Sequence, residues 1–117
     1  FANSFSNVSG SQMSSLGFYV TAETYYGRHG YSLCLDGIEE DINDNARSRA
    51  IVIHGADYVS QEFIEKYGRL GRSWGCPALP TGLSKEIIDK ITGGTCLFIY
   101  GSDPEYFKKS KIIQYVE

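Results

Sequence analysis

The chain has no run of 18 apolar residues, so the sequence predicts no membrane-spanning helix in it. It also has no excess of positive charge. Lys and Arg total 11 against 14 Asp and Glu, and they are scattered along the 117 residues. The basic face that a nucleic-acid-binding protein needs is missing, so we predict no nucleic-acid partner.

The spacing of metal ligands is missing as well. The chain has two His, no C-x-x-C and no H-x-x-x-H, whereas a structural zinc site needs four closely spaced ligands. We therefore expect no metal and no cofactor. The Cys residues are Cys34, Cys76 and Cys96, and this odd count leaves at least one thiol outside a disulfide. Cys34 and Cys96 lie in apolar runs, which favours structural roles, and a disulfide between them stays open.

The residues that are present describe one globular, β-rich domain. Hydrophobic residues make up 42% of the chain and charged residues 21%, which argues against disorder. The 13 Gly, nine Tyr and six Phe favour strands joined by tight turns. We predict a polar arm or linker at residues 1–15 and a single domain over residues 16–117.

Local patterns predict a mainly β fold with short helices. Arg28-His29-Gly30 reads as a hairpin turn between the first two strands, with His29 exposed to solvent. Helix 84–92 is predicted to have Ser84 as N-cap and to end at Gly93-Gly94. The predicted strands are 17–27, 31–38, 49–55 and 95–101 with an edge strand at 111–116, the predicted helices are 59–67 and 84–92, and the predicted loops and turns include 37–48, 68–82 and 102–107.

A serine nucleophile is the first chemical interpretation to test. Residues 71–75 fit G-x-S-x-G around Ser73, but a nucleophile elbow needs a strand before it and a His after the Ser. Both His residues precede Ser73, and the preceding residues do not resemble a strand. We reject this interpretation and expect the Ser73 hydroxyl to hydrogen-bond the backbone of its own loop.

Cys76 is the better nucleophile candidate. A free thiol has a pKa of about 8.5, so it needs a base, and His54 at the end of an apolar strand can provide one. Gly75 lets the backbone approach a substrate, and Pro77 restricts Cys76 to extended conformations. The alternative is an inert, buried Cys beside a structural His, and the residues alone leave this open.

Other residues around Cys76 have candidate roles. The backbone N–H groups of Trp74, Gly75 and Cys76 are candidates for an oxyanion hole. Arg72 and Arg69 are alternative candidates for binding a substrate carboxylate. Tyr25 belongs to a group of tyrosines that favours sheet packing, and it is also a candidate for lining the site.

His54-Gly55, followed downstream by Ser73-Trp74-Gly75-Cys76, resembles the signature of the L,D-transpeptidase catalytic domain family (YkuD-type). The resemblance covers roughly residues 10–101, in three blocks that agree in order: 14–33, 35–58 and 71–80. It implies a mixed β-sandwich with helices at its edge. It also implies a bacterial cell-envelope location, periplasmic or otherwise exported, with a signal segment removed.

The resemblance assigns roles to several residues. Cys76 is similar to the acylated nucleophile and His54 to the general base, which a nearby carbonyl, here that of Gly55, orients. Gly75 and Cys76 correspond to the oxyanion segment. Two positions depart from the common pattern, because many members have His in place of Trp74 and Arg in place of Ala78. We therefore expect no second imidazole at the site, and Arg72 as a replacement for the missing charge.

The implied reaction uses peptidoglycan stem peptides as donor and acceptor. Cys76 attacks the carbonyl at the L-centre of the third stem residue, D-alanine leaves, and an acceptor amine resolves the thioester into a 3-3 cross-link. Hydrolysis at the same site would make the protein an L,D-carboxypeptidase. A third hypothesis is a non-catalytic murein-binding module. Carbapenems are the expected inhibitors.

Overall fold

A computed structural model describes residues 6–8, 13–56, 65–66, 76–101 and 103–116, the last three of these without their side chains. The chain begins with two long strands and ends with two short helices, with shorter strands and one longer helix between them. They are β1 (Gly17–Gly27), β2 (Gly30–Gly37), β3 (Val52–Gly55), β4 (Ala78–Leu79), α1 (Thr81–Ile91), β5 (Cys96–Ile99), α2 (Pro104–Lys109) and α3 (Lys111–Val116).

The strands form a five-stranded sheet in the order β4-β3-β2-β1-β5. All neighbours are antiparallel except β3 and β4, which are parallel. The main core consists of apolar side chains of β1, β2, β3, α1 and the β2–β3 loop: Tyr19, Leu33, Leu35, Ala46, Ile51, Ile53 and Ile88. The mainly β class is confirmed, whereas the packing of two sheets into a sandwich stays a prediction.

The first four predicted strands are confirmed: β1 has the predicted bounds, β2 is shifted by one residue, and β3 and β5 are shorter than predicted. Residues 38–50 form the predicted loop. Strand β4 was missed, because two residues in a Pro-rich segment carry no strand pattern. It forms because the Ala56 N–H donates to the Leu79 carbonyl (2.9 Å) and the His54 N–H to the Pro77 carbonyl (3.3 Å).

Helix α1 is confirmed, but its predicted N-cap is wrong. The helix begins at Thr81 after Pro80, and the Ser84 hydroxyl donates to the Thr81 carbonyl inside the first turn (3.2 Å). The end is as predicted, since Gly93 and Gly94 follow with positive φ. The predicted helix 59–67 lies outside the described residues except for Glu65 and Lys66, which are helical.

The predictions of a turn at 102–107 and an edge strand at 111–116 are wrong, because both segments contain helices. The Asp103 carboxylate accepts from the Glu105 N–H (3.0 Å), and Pro104 occupies the first turn of α2, where its missing N–H costs nothing. The Ser110 hydroxyl accepts from the Ile113 N–H at the start of α3 (3.2 Å). Local capping therefore outweighs the strand preference of the β-branched residues.

A buried carboxylate joins these C-terminal helices to the sheet. Glu39 accepts hydrogen bonds from the Phe18 N–H (2.9 Å), the Tyr106 hydroxyl (2.9 Å) and the Ser110 hydroxyl. Burial, together with the nearby Glu39 charge, raises the pKa of Tyr106 to about 12. We call Glu39, Phe18, Tyr106 and Ser110 the Glu39 cluster. Within the described part of the chain, no helix has the length and apolarity to cross a membrane.

Candidate active site

The sheet aligns four residues across neighbouring strands. Tyr25 of β1 pairs with Ser32 of β2, Ser32 pairs with His54 of β3, and His54 pairs with Ala78 of β4. Directly paired residues point to the same face of a sheet. His54 therefore shares one face with Tyr25, Ser32 and Ala78, and its two immediate neighbours have small side chains.

His54 is deeply buried and has a defined orientation. Only 2% of it is exposed, and its Nδ1 lies 2.9 Å from the Gly55 carbonyl oxygen. A carbonyl only accepts, so this contact assigns the ring proton to Nδ1 and the lone pair to Nε2 in the neutral ring. Gly55 also allows α1 to approach closely, because an added Cβ would lie 2.6 Å from the Ser84 hydroxyl.

Cys76 lies immediately before the segment that pairs with the His54 strand. Its Sγ lies 3.6 Å from the Ala50 carbonyl, to which the thiol donates, and the Val52 N–H donates to the sulfur. The side chain also packs against the core. Burial raises the pKa of the Cys76 thiol, while the Val52 N–H and the charge of Arg49 oppose that rise. The thiol is therefore protonated at neutral pH and needs a base.

Arg49 supplies positive charge near Cys76, and the sequence interpretation missed it. Its guanidinium donates to the carbonyls of Ser6 (2.8 Å) and Met13 (2.5 Å), which tie the N-terminal segment to the start of β3. The sequence did not indicate which of Arg47 and Arg49 lies near Cys76. Arg47 instead forms ion pairs with Glu23 and Asp36.

Ala50, which directly follows Arg49, has a strained backbone. Ala50 has φ 56°, in the left-handed region. That conformation costs a non-glycine residue about 1–2 kcal/mol. It places the Ala50 carbonyl within reach of the Cys76 sulfur. Such strain is common where a backbone positions a functional group.

His29 brings a second imidazole to the site, which corrects the expectation that none is present. The His29 and His54 ring centroids lie 4.4 Å apart, with 16° between the planes. His29 is exposed in the hairpin turn as predicted, yet its ring covers a face of His54. Partial burial, His54 and Arg28 all lower the pKa of His29, so its ring is neutral at neutral pH.

Several predicted site residues lie outside the described residues: Arg72, Ser73, Trp74 and Gly75. Their roles in the oxyanion hole, the loop and carboxylate binding stay predictions. Of the others, the structure brings Gly55 into contact with His54 and places Tyr25, which is 41% exposed, in the His54 row. Cys34 and Cys96 are not joined by a disulfide.

Comparison with known proteins adds one finding. The family model described as the L,D-transpeptidase catalytic domain matches residues 1–100. No curated protein and no solved structure matches the chain.

Proposed function

Because the chain belongs to the L,D-transpeptidase catalytic domain family, we propose that it is a cysteine-dependent L,D-transpeptidase acting on peptidoglycan stem peptides. The observation that carries the proposal is the β3–β4 pairing. It holds the segment after Cys76 beside the strand that presents His54, whose Nδ1 is directed at the Gly55 carbonyl. A nucleophile just before one strand and a base on the adjacent strand form the minimum arrangement for acyl transfer.

The first half-reaction forms a thioester. The Nε2 lone pair of His54 accepts the Cys76 thiol proton as the sulfur attacks the carbonyl of the third stem residue. The C–N bond to D-alanine then breaks, and His54 returns the proton to the departing amine. The raised pKa of Cys76 makes this base necessary, since little thiolate exists at neutral pH.

The second half-reaction resolves the thioester. An acceptor amine attacks the carbonyl, the C–S bond breaks, and the proton lost by the amine passes through His54 to the thiolate, which gives a 3-3 cross-link. The N–H groups of Gly75 and Cys76, with Trp74 adjacent, are the proposed oxyanion donors. Ser73 supports their loop, and Arg72 binds a substrate carboxylate.

Tyr25 is the proposed substrate contact on the sheet. It lies two strands from His54 in the same row, and it is 41% exposed. A stem peptide bound along this face could pack against its ring. In this proposal residues 16–117 form the catalytic domain, whose finer fold is the mixed β-sandwich of the family. Residues 1–15 form an arm, and the protein acts in the bacterial cell envelope.

The test is acylation of Cys76. The protein is mixed with a carbapenem, or with a stem tetrapeptide, and the adduct is located by peptide mass spectrometry. We expect the adduct on Cys76 and its loss in Cys76→Ala. Cys96→Ala is the matched control, because Cys96 is exposed in β5 and should leave labelling unchanged. An adduct absent from wild-type Cys76 would contradict the proposal.

Product analysis separates transpeptidation from hydrolysis. With a tetrapeptide donor and an acceptor amine, an L,D-transpeptidase gives cross-linked product, whereas an L,D-carboxypeptidase gives free tripeptide. We expect the cross-linked product to increase with acceptor concentration. A product ratio that is independent of the acceptor would favour the carboxypeptidase.

The burial of the Cys76 thiol favours a second candidate function, a non-catalytic murein-binding module, because burial raises its pKa and weakens it as a nucleophile. Binding to purified sacculi tests this candidate. If the protein is such a module, the wild type, Cys76→Ala and His54→Ala should all bind sacculi equally well, and none of them should turn over a stem peptide.

A further inference from the structure

We propose that His29 is a positioning residue of this site, whose stacked ring holds the imidazole of His54 in the orientation that presents Nε2 to Cys76. The inference rests on the proposed function in that it treats His54 as the base. It assigns a role to a residue that lies in a hairpin turn, well before the His-Gly and S-x-G-C motifs in the sequence.

One hydrogen bond does not fix the plane of an imidazole. The contact from Nδ1 to the Gly55 carbonyl (2.9 Å) sets where that nitrogen points, but the ring can still tilt about the line of the bond. A ring stacked 4.4 Å away with only 16° between the planes restrains that tilt. The two contacts together define both the direction and the plane of the His54 ring.

The described neighbours of His54 in its row give little steric restraint. Ala78 has only a methyl group, and the Ser32 hydroxyl donates to the Gly30 carbonyl of the hairpin (3.1 Å). His29 lies outside this row, but its ring stacks on that of His54 and is larger than either of these side chains. Loss of its ring should therefore leave space in which the ring of His54 can turn.

The hairpin is built to hold His29 in place. Gly27 pairs with Gly30 across the turn, and the Tyr26 and Tyr31 rings beside it lie 5.1 Å apart. Gly30 has φ 83°, the left-handed conformation that completes a tight turn and that other residues adopt at a cost. A short, paired turn restricts the ring of His29 far more than a long loop would.

The charge state of His29 suits this role. Partial burial, His54 and Arg28 lower its pKa, so an uncharged ring faces His54. When His54 accepts the thiol proton, it becomes a cation beside a neutral ring rather than beside a second cation. The stack is therefore compatible with His54 in both of the states that a general base passes through.

The experiment is a double-mutant cycle on Cys76 reactivity. Rates of carbapenem acylation and of iodoacetamide alkylation at Cys76 are measured by peptide mass spectrometry for wild type, His29→Ala, His54→Ala and the double variant. We expect His29→Ala to slow acylation about tenfold, by misorienting the base. In the His54→Ala background the same change should have little effect. Equal slowing in both backgrounds would overturn the proposal.

Two further variants separate the ring from the fold. His29→Phe keeps a flat ring without a titrating group, and we expect it to recover most of the wild-type rate. Arg28→Lys is the matched control in the same turn, because it keeps the positive charge beside His29, and it should stay close to wild type. If His29→Phe is as slow as His29→Ala while thermal unfolding is unchanged, the stacked ring does not act by positioning and the proposal is wrong.

The same data distinguish this inference from the proposed function. If carbapenem fails to acylate wild-type Cys76 while the cycle still shows coupling in alkylation, the transpeptidase proposal fails and the positioning role stands. If Cys76 is acylated but the two His variants act independently, only the role of His29 fails.

Discussion

The Glu39 cluster and the Cys76–His54 site each contain a buried polar side chain, Glu39 in one and His54 in the other, but they use their polar groups differently. The Glu39 carboxylate accepts hydrogen bonds from three donors in β1, α2 and the residue before α3. The Cys76 sulfur instead has weak backbone contacts, and His54 uses Nδ1 for orientation and keeps its basic Nε2. A carboxylate held by several donors stabilises a fold, whereas a weakly held thiol and an oriented base favour chemistry.

The strongest test of this difference is His54→Ala. We expect a fall of roughly a hundredfold or more in the acylation rate of Cys76, because the raised pKa of the thiol leaves it dependent on a base. The rate is measured as the second-order constant for carbapenem labelling. Ser32→Ala, in the next position of the row, is the control. Unchanged labelling in His54→Ala would show that His54 is not the base for Cys76.

Glu39→Gln should have the opposite effect, destabilising the fold and leaving the chemistry intact. The amide cannot replace a carboxylate that three donors face, so we expect a loss of about 2–3 kcal/mol in the free energy of unfolding. Urea denaturation measures this loss, and Glu40→Gln, at an exposed neighbour, is the control. Labelling of Cys76 per folded molecule should match wild type. A selective loss of labelling would show that the two regions are coupled.

Arg49 offers a finer test of the site. Its charge lowers the pKa of Cys76 against the effect of burial, so Arg49→Ala should move the alkylation profile of Cys76 to higher pH. Arg49→Lys should restore most of the shift. Arg47→Ala is the matched control, because that guanidinium pairs with Glu23 and Asp36. A downward shift in Arg49→Ala would contradict the electrostatic assignment.

The pKa of Cys76 also has a consequence for stability. The folded pKa is raised above the unfolded value, so the folded chain holds the thiol proton more tightly. This contribution is fully present below the unfolded pKa of about 8.5 and is lost as the pH rises through the folded pKa. The free energy of unfolding of the wild type should therefore fall between neutral and alkaline pH, and in Cys76→Ala it should fall less. Urea denaturation at a series of pH values measures the difference.

Sequence patterns predicted the parts of the molecule that local chemistry determines. Aromatic and β-branched residues indicated β1, the turns on either side indicated β2, and the Gly pair indicated the end of α1. They missed β4, which needs β3 beside it, and α2 and α3, which depend on caps and on Glu39. The motifs singled out Cys76 and His54, but the proximity of His29 and Arg49 depends on strand pairing that the sequence does not display.

The smallest expected effect comes from relieving backbone strain, either at the site or in the loop that carries Glu39. Ala50 beside Cys76 and Asp41 in the loop of Glu39 both have positive φ, 56° and 62°. Replacing either by Gly relieves strain. We expect a gain of about 0.5–1 kcal/mol at Ala50, and less at Asp41, since Asp tolerates this region better. Urea denaturation measures both gains.

The same two variants also report on function. The carbonyl of Ala50 contacts the Cys76 sulfur, so added freedom there should change the alkylation rate of Cys76, whereas Asp41→Gly should not. Equal alkylation rates in the two variants would mean that the strain at Ala50 has no part in positioning the thiol. The difference between the two regions would then lie in their side chains alone.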